Sequence, residues 1–272
     1  MREFLDVTVL SVLQGVAEFL PISSSGHLVI GQSALGVNAP GMRLDIFLHV
    51  GTVLSIFAYY RRSVGRLLAG LVSVAPERRR ESWTYAAKIV VSALPAIVVY
   101  GLFKHQIEAL FENAKMVGAL LMFTGAVLMG TRFLPRGLHE VNFLRAFLMG
   151  VGQSIALLPG VSRSGMTLAS ARAGRVAPEA AAEFSFLMST PLILGAAFLE
   201  ALKAFGGSAA EAASAVPEPS WGMVAYGSAL AAVTGYFSLT WLVKVLKGRW
   251  FWAFGPYCIV AGLLTICFLS GS

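Results

Sequence analysis

Hydrophobic positions along this chain fall into long unbroken runs rather than into alternating or one-sided patterns. Six runs approach or reach the length needed to cross the hydrocarbon core of a bilayer: Asp45 to Tyr60, Trp83 to Phe103, Ala114 to Thr131, Phe184 to Leu202, Trp221 to Val243 and Phe251 to Leu269. The first is short and needs part of the following stretch, or a thin bilayer, to cross. Short charged connections separate the runs, and Gly and Ala are abundant, which suits close helix packing in lipid rather than a barrel of alternating strands. The pattern predicts an all-α integral membrane protein with one membrane domain over 1–272.

Two further apolar stretches are interrupted and resumed, and they are written in nearly the same letters. They are QGVAEFLPISSSGHLV, from Gln14 to Val29, and QSIALLPGVSRSGMTL, from Gln153 to Leu168. Each breaks at a proline, opens into serines and glycine, and continues. A shift of 139 places Gln14 on Gln153, Ser23 on Ser162, Ser25 on Ser164 and Gly26 on Gly165. The chain therefore carries a duplicated element, with halves of about 1–138 and 139–272.

Loop charge orients the runs. Arg61, Arg62, Arg66 and Arg78 to Arg80 follow the first run and are expected in the cytoplasm. The balanced stretch from Lys104 to Lys115 is expected outside, Arg132, Arg136 and Arg145 inside, Arg172 and Arg175 inside, the Ala-rich loop from Lys203 to Ser220 outside, and Lys244, Lys247 and Arg249 inside. Arg172 and Arg175 keep that placement only if the second broken stretch dips into the membrane and returns to the same face. By the same reasoning the first enters from outside, with Arg43 and Asp45 outside and Arg61 inside. The expected topology is six transmembrane helices plus two re-entrant helix pairs, related as an inverted-topology repeat whose broken tips meet near the midplane. Non-helical backbone at that depth survives only where it is buried in protein or lines a wet cavity, so the tips mark a candidate binding site.

Composition agrees, with 57% hydrophobic and only 13% charged residues. The net charge of +7 belongs to loop arginines, so no nucleic-acid partner is expected; membrane lipids are. Cys258 and Cys267 lie in the last run, roughly 13 Å apart along a helix, too far for a mutual disulfide. The N-terminus lacks a basic cluster and a small-residue cleavage site, so its apolar run is expected in the mature protein.

The candidate chemistry sits at the tips. Pro21 ends one helix, and Ser23, Ser24 and Ser25 offer hydroxyls and N-cap character for the helix expected to start near Gly26; Pro159, Ser162 and Ser164 repeat the arrangement from the other side. Two converging helix N-termini make an anion site. Ser23, Ser25, Gly26, Ser162, Ser164 and Gly165 are candidate phosphate-binding positions, and Arg163 adds a planar fork suited to phosphate oxygens. Glu18 follows Gln14 by four residues, so both project from one helix face. Beside Glu18 and three serines, His27 is a candidate for acid/base or nucleophilic work. Structural readings stand next to these: Arg163 as a static partner of Glu18 between repeats, Glu18 as a cap for a neighbouring helix, His27 as a satisfied core histidine. Against them, ionisable groups at membrane depth are expensive and usually functional. His49 reads as an interfacial hydrogen-bonding residue, His105 and His139 as solvated loop residues, and the Trp residues at 83, 221, 250 and 252 as an interfacial belt.

With FLPISSSGH, the glutamate four residues after Gln14 and PGVSRSG in the second half, nearly the whole chain resembles the bacitracin-resistance (BacA/UppP) family of undecaprenyl-pyrophosphate phosphatases. The resemblance implies hydrolysis of a polyprenyl pyrophosphate, undecaprenyl pyrophosphate, to the monophosphate. That reaction recycles the lipid carrier of peptidoglycan synthesis at the outer face of the bacterial cytoplasmic (inner) membrane. It also implies a divalent cation, Mg²⁺ or Ca²⁺, with Gln14 and Glu18 as candidate ligands. Many relatives have glutamate where this chain has Gln14. An amide is a poorer Mg²⁺ ligand than a carboxylate, so Glu18 is expected to be the main anchor. In the expected mechanism Ser24 is the nucleophile, Glu18 takes its proton or orients the metal, His27 shuttles a proton and Arg163 clamps phosphate. Attack by water or by His27 stays open, as does the oligomeric state, a homodimer included. Inverted repeats with broken helices are also the mark of secondary transporters, so a carrier or flippase for a polyprenyl phosphate lipid is the alternative.

Overall fold

The computed structural model describes residues 2–35, 41–111, 113–206, 219–248 and 250–268, with the side chains of 32–35, 41–43, 196, 200, 201 and 203–206 left aside. The chain is helical throughout these residues, and a lone bridge between His139 and Val176 is the only β pairing among them. Eleven α-helices are described: α1 (Arg2–Phe19), α2 (Ser24–Leu35), α3 (Gly41–Tyr59), α4 (Arg61–Leu71), α5 (Pro76–Phe111), α6 (Ala114–Gly130), α7 (Phe143–Ile155), α8 (Arg163–Ala173), α9 (Pro178–Gly206), α10 (Trp221–Lys247) and α11 (Phe254–Phe268). Glu112, most of the Ala-rich loop over 207–218, Arg249 and the expected end of the last span at Leu269 lie outside the described residues.

Among the described residues, five segments are long and apolar enough to cross a membrane: Pro76–Phe111, Ala114–Phe133, Pro178–Leu199, Trp221–Lys247 and Phe251–Phe268. The remaining expected span corresponds to Leu44–Tyr59, a shorter apolar stretch. On α5 the large apolar side chains face outward, with Val90 61%, Ile97 55% and Leu102 69% exposed. A row of that kind is costly in water and natural in lipid.

Two stretches expected as charged loop are helix. Arg61, Arg62 and Arg66 lie on α4, and α5 begins at Pro76, so Arg78 to Arg80 occupy its first turns. A hydropathy scan stops where the arginines begin, but arginine and glutamate are good helix formers and the backbone continues through them. Pro76 takes the first helical position, where its missing N–H costs nothing. At 36 residues α5 spans roughly 54 Å, well beyond one hydrocarbon core. Its regular backbone is interrupted at Phe103 (φ −122°, ψ 17°), the residue at which the apolar run ends.

The broken stretches organise the packing. Helix α1 lies along α10, and α7 lies along α5. The 139-residue shift carries α1 onto α7 and α5 onto α10, so these two contacts correspond. Helices α6 and α11 pack most closely of all: a Cβ at Gly118 would sit 2.8 Å from the Gly262 carbonyl, and one at Gly125 2.7 Å from that of Gly255. Such backbone proximity is how helices associate where lipid removes the hydrophobic driving force between them. The central core includes Phe19, Leu20 and Ile22 from the first break together with Leu121, Met149, Phe184 and Phe186. Phe19 meets Phe186 edge to face at 5.4 Å, which anchors the end of α1 where the chain leaves the helix.

Candidate functional site

Each break is a short turn closed by its own serine. In the first, α1 stops at Phe19, ahead of Pro21, and α2 starts at Ser24, two residues before the expected start near Gly26. Just before it, Ser23 adopts a left-handed conformation (φ 70°), and its Oγ accepts the Gly26 N–H at 3.3 Å. A non-glycine residue in that region costs about 1 kcal/mol, so the turn is held by its surroundings. In the second, Ser162 caps α8 by accepting the Gly165 N–H at 3.1 Å. The correspondence extends to the neighbouring hydroxyls: Ser23 and Ser25 are 3.3 Å apart, as are Ser162 and Ser164.

The two turns touch. Ser164 donates to the Leu20 carbonyl at 3.1 Å, and a Cβ at Gly26 would lie 3.3 Å from the Gly160 Cα. Gly160 has φ +89°, and a side chain there would run into the Val117 carbonyl, so only glycine serves. Thr124 of α6 fixes this corner by donating to the Gly160 carbonyl and accepting the Ser162 N–H, both at 3.1 Å.

At the junction the polar side chains form one network. The Glu18 carboxylate is buried. One oxygen accepts Arg163 Nη2 at 2.6 Å; the other accepts Ser24 Oγ at 2.8 Å and Gln14 Nε2 at 3.0 Å. His49 Nε2 stands 3.8 Å from that second oxygen. His27 bonds through Nδ1 to the Ser23 carbonyl at 2.9 Å and through Nε2 to the Tyr257 hydroxyl at 2.7 Å, with the rings stacked. The fold thus joins Gln14, Glu18, Ser24 and Arg163 by direct contact. His27 is tied to the Ser23 turn, while Ser25 and Ser164 each face the capping serine of their own turn.

The pair that a purely structural reading of Arg163 requires is therefore present, but it does not exhaust either side. Arg163 Nη1 and Gln14 Oε1 are buried and have no hydrogen-bond partner. Such orphaned groups are costly unless a ligand engages them. Gln153 matches Gln14 in the repeat and is in the same condition at both ends of its amide, because the position four residues on, Glu18 in the first copy, is Leu157 in the second.

The donor set bears on a divalent cation. Among the described residues no three His, Cys, Asp or Glu side chains cluster, so a cage built from protein ligands alone does not fit. A cation that shares the oxygens of a pyrophosphate fits: it would find the Glu18 carboxylate and the unpaired Gln14 amide oxygen, both hard oxygen ligands.

Three residues at the site escaped the sequence. His49 approaches Glu18 instead of serving only as an interfacial group. Tyr257 and Thr124 come from α11 and α6, in runs that carry no motif. A lone hydroxyl residue in an apolar run gave no signal, since such side chains usually bond to the preceding turn of their own helix.

The model of the family described as bacitracin resistance protein BacA matches residues 7–264. The chain belongs to the BacA family. Among its relatives in curated collections, the undecaprenyl-diphosphatase of Desulforapulum autotrophicum is 36% identical over 273 residues, 95% of each chain. That of Desulfosudis oleivorans is 36% identical over 95% of this chain and 96% of its own. That of Halothermothrix orenii is 33% identical over 97% of both. The match to the BacA family takes in both serine turns and all three long helices, α5, α9 and α10, so the whole site lies inside it.

Proposed function

We propose that this chain is a multi-pass membrane phosphatase that hydrolyses undecaprenyl pyrophosphate to undecaprenyl phosphate and inorganic phosphate. It would thereby return the lipid carrier to peptidoglycan synthesis and confer bacitracin resistance. The observation that carries this reading is the contact of Ser24, Glu18 and Arg163: a hydroxyl on a buried carboxylate that also holds a guanidinium, with one guanidinium nitrogen left over. BacA membership and the undecaprenyl-diphosphatase relatives support the substrate.

The terminal phosphate is held by Arg163 Nη1, the Ser25 hydroxyl and the free first-turn N–H groups of α2 and α8. Ser23, Gly26, Ser162, Ser164 and Gly165 shape the two turns around it, since the Gly26 and Gly165 N–H groups go to Ser23 and Ser162 and the Ser164 hydroxyl goes to the Leu20 carbonyl. Ser24 Oγ attacks the terminal phosphorus. The Oγ–P bond forms as the bridging O–P bond breaks, the hydroxyl proton passes to Glu18, and undecaprenyl phosphate departs. Water then attacks the phosphoserine and gives its proton to His27, while Glu18 returns the proton it took to the departing Ser24 Oγ, so that inorganic phosphate and free Ser24 result. His27, oriented by Tyr257, carries protons to or from the phosphate oxygens. Gln14 and Glu18 would hold a divalent cation, Mg²⁺ or Ca²⁺, which would supply partial neutralisation of the pyrophosphate charge. Phosphoryl transfer asks mainly for positioning and charge stabilisation, and this set of groups supplies both.

The wider topology is part of the proposal: six spans and two re-entrant pairs inserted from opposite faces of the bacterial cytoplasmic membrane, with the site opening outward. Duplicated serine turns, the matching α1–α10 and α7–α5 contacts and the loop arginines support it. With Cys258 and Cys267 replaced by alanine, Ser24→Cys should react with an impermeant thiol reagent from the external side; reaction only from the cytoplasmic side would overturn the placement.

Release of phosphate from undecaprenyl pyrophosphate by the purified chain in detergent tests the activity. Transport is impossible there, so a chain that binds the lipid and releases no phosphate would be a carrier instead.

A further inference from the structure

Away from the serine turns, α4, α5 and α9 border a second, open polar cavity of about 260 Å³, lined by Ser63, Arg66, Arg78, Glu81, Tyr85 and Glu183 among others. Its inner end is already ordered: Ser63 donates to Glu183 at 2.9 Å, and Arg66 donates to Ser63 at 3.3 Å. The Tyr85 hydroxyl is buried there without a hydrogen-bond partner. Arg66 and Arg78 are exposed, whereas Tyr85, Ser63 and Glu183 are partly buried. Glu81 is exposed beside the two arginines, so the mouth carries one net positive charge, and the inner end carries the Glu183 carboxylate and a phenol.

That gradient describes a ligand. Two arginines and two glutamates make the lining neutral, so a simple dianion would meet both carboxylates, whereas a zwitterion would have its two charges matched. The anionic part belongs at the mouth, where planar forks engage phosphate oxygens. The cationic part belongs inside, beside Glu183 and the unpaired Tyr85 hydroxyl. A primary ammonium has three donors for such acceptors. A quaternary ammonium has none and would call for an aromatic cage, which a single tyrosine does not make.

Neighbouring residues point to a lipid rather than a soluble zwitterion. Leu68 and Trp83, next in sequence to the lining residues Leu67 and Ser82, are 58% and 59% exposed, and the exposed Val72 and Val74 follow α4. A basic helix with an apolar face, such as α4, lies in the headgroup region of a membrane. We infer that the cavity between α4, α5 and α9 is a binding site for a phospholipid head group carrying a phosphate and a primary ammonium, with the ammonium at Glu183 and Tyr85 and the phosphate at Arg66 and Arg78. This inference is independent of the hydrolytic reading above.

The test uses the full chain, delipidated in detergent and titrated with phosphatidylethanolamine, phosphatidylcholine and phosphatidylglycerol of identical acyl chains, with native mass spectrometry reading the bound lipid. Phosphatidylethanolamine should be held about tenfold more tightly than phosphatidylcholine. Tyr85→Phe and Glu183→Gln should each shrink that preference several-fold. Arg66→Gln, a change at an exposed residue that leaves the core alone, should weaken retention of all three lipids. Equal retention of the ethanolamine and choline lipids, tighter retention of phosphatidylglycerol, or a preference that survives both Tyr85→Phe and Glu183→Gln would overturn the assignment.

Discussion

Arg163 and Glu18 are 145 residues apart in the chain and 2.6 Å apart in space. Each comes from a different copy of the repeated serine turn, so neither copy alone contains the site. One copy brings the carboxylate, hydroxyl and imidazole, and the other brings the guanidinium. Where the first copy has Glu18, Ser24 and His27, the second has Leu157, Arg163 and Met166. Divergence at these positions turns a duplicated fold element into a site with distinct ends.

Replacing Arg163 with alanine should abolish detectable phosphate release. The buried Glu18 would lose its charge partner, at a stability cost of about 3–5 kcal/mol. Arg163→Lys keeps the charge but loses the second arm of the fork, and should restore folding with little activity. Phosphate release and thermal unfolding in detergent, measured on both variants, separate the two effects.

Tyr257→Phe removes the hydroxyl that orients His27 and retains the stacked ring. The rate of phosphate release should fall about fivefold, the scale of one lost hydrogen bond of about 1 kcal/mol, with thermal stability nearly unchanged. An unaltered rate would remove Tyr257 from the site.

Thr124→Val takes away both bonds that fix the Gly160 corner and leaves the Ser162 N–H unpaired. A loss of about 1–3 kcal/mol is expected, visible as a lower unfolding temperature in detergent and accompanied by reduced activity. A change confined to activity would place Thr124 in contact with substrate instead.

Chelation of divalent cations should halt phosphate release, and Mg²⁺ or Ca²⁺ should restore it. Gln14→Ala should raise the cation concentration needed for half-maximal rate, because one of two hard oxygen ligands is lost, while Gln14→Glu should lower it. Titration of the rate against free cation reads both shifts.

Much of the architecture was written in the apolar runs, because a segment buried in lipid must be continuously hydrophobic and internally hydrogen-bonded. The serine turns were legible too, down to Ser162 as the cap of α8. Helix ends were less so. Helix α2 starts directly after Ser23, two residues early, as α8 starts directly after Ser162, and Ser23 adopts a left-handed backbone that its letter does not announce. Charge hid the helical continuation of α5 through Arg78 to Arg80, since hydropathy records solvent preference and not backbone state. Tyr257 lies 230 residues from the histidine it bonds, and only tertiary packing brings such a pair together.

In the proposed mechanism Ser24 is the nucleophile, and its substitution is the most direct measurement. Purified wild type and Ser24→Ala, each shown to be folded in detergent with divalent cation, would be compared for phosphate release from undecaprenyl pyrophosphate. The expected result is loss of nearly all turnover in the variant, with a phosphorylated Ser24 recoverable from wild type quenched during the reaction. Turnover by Ser24→Ala comparable to wild type would contradict the assignment and leave attack to water or to His27.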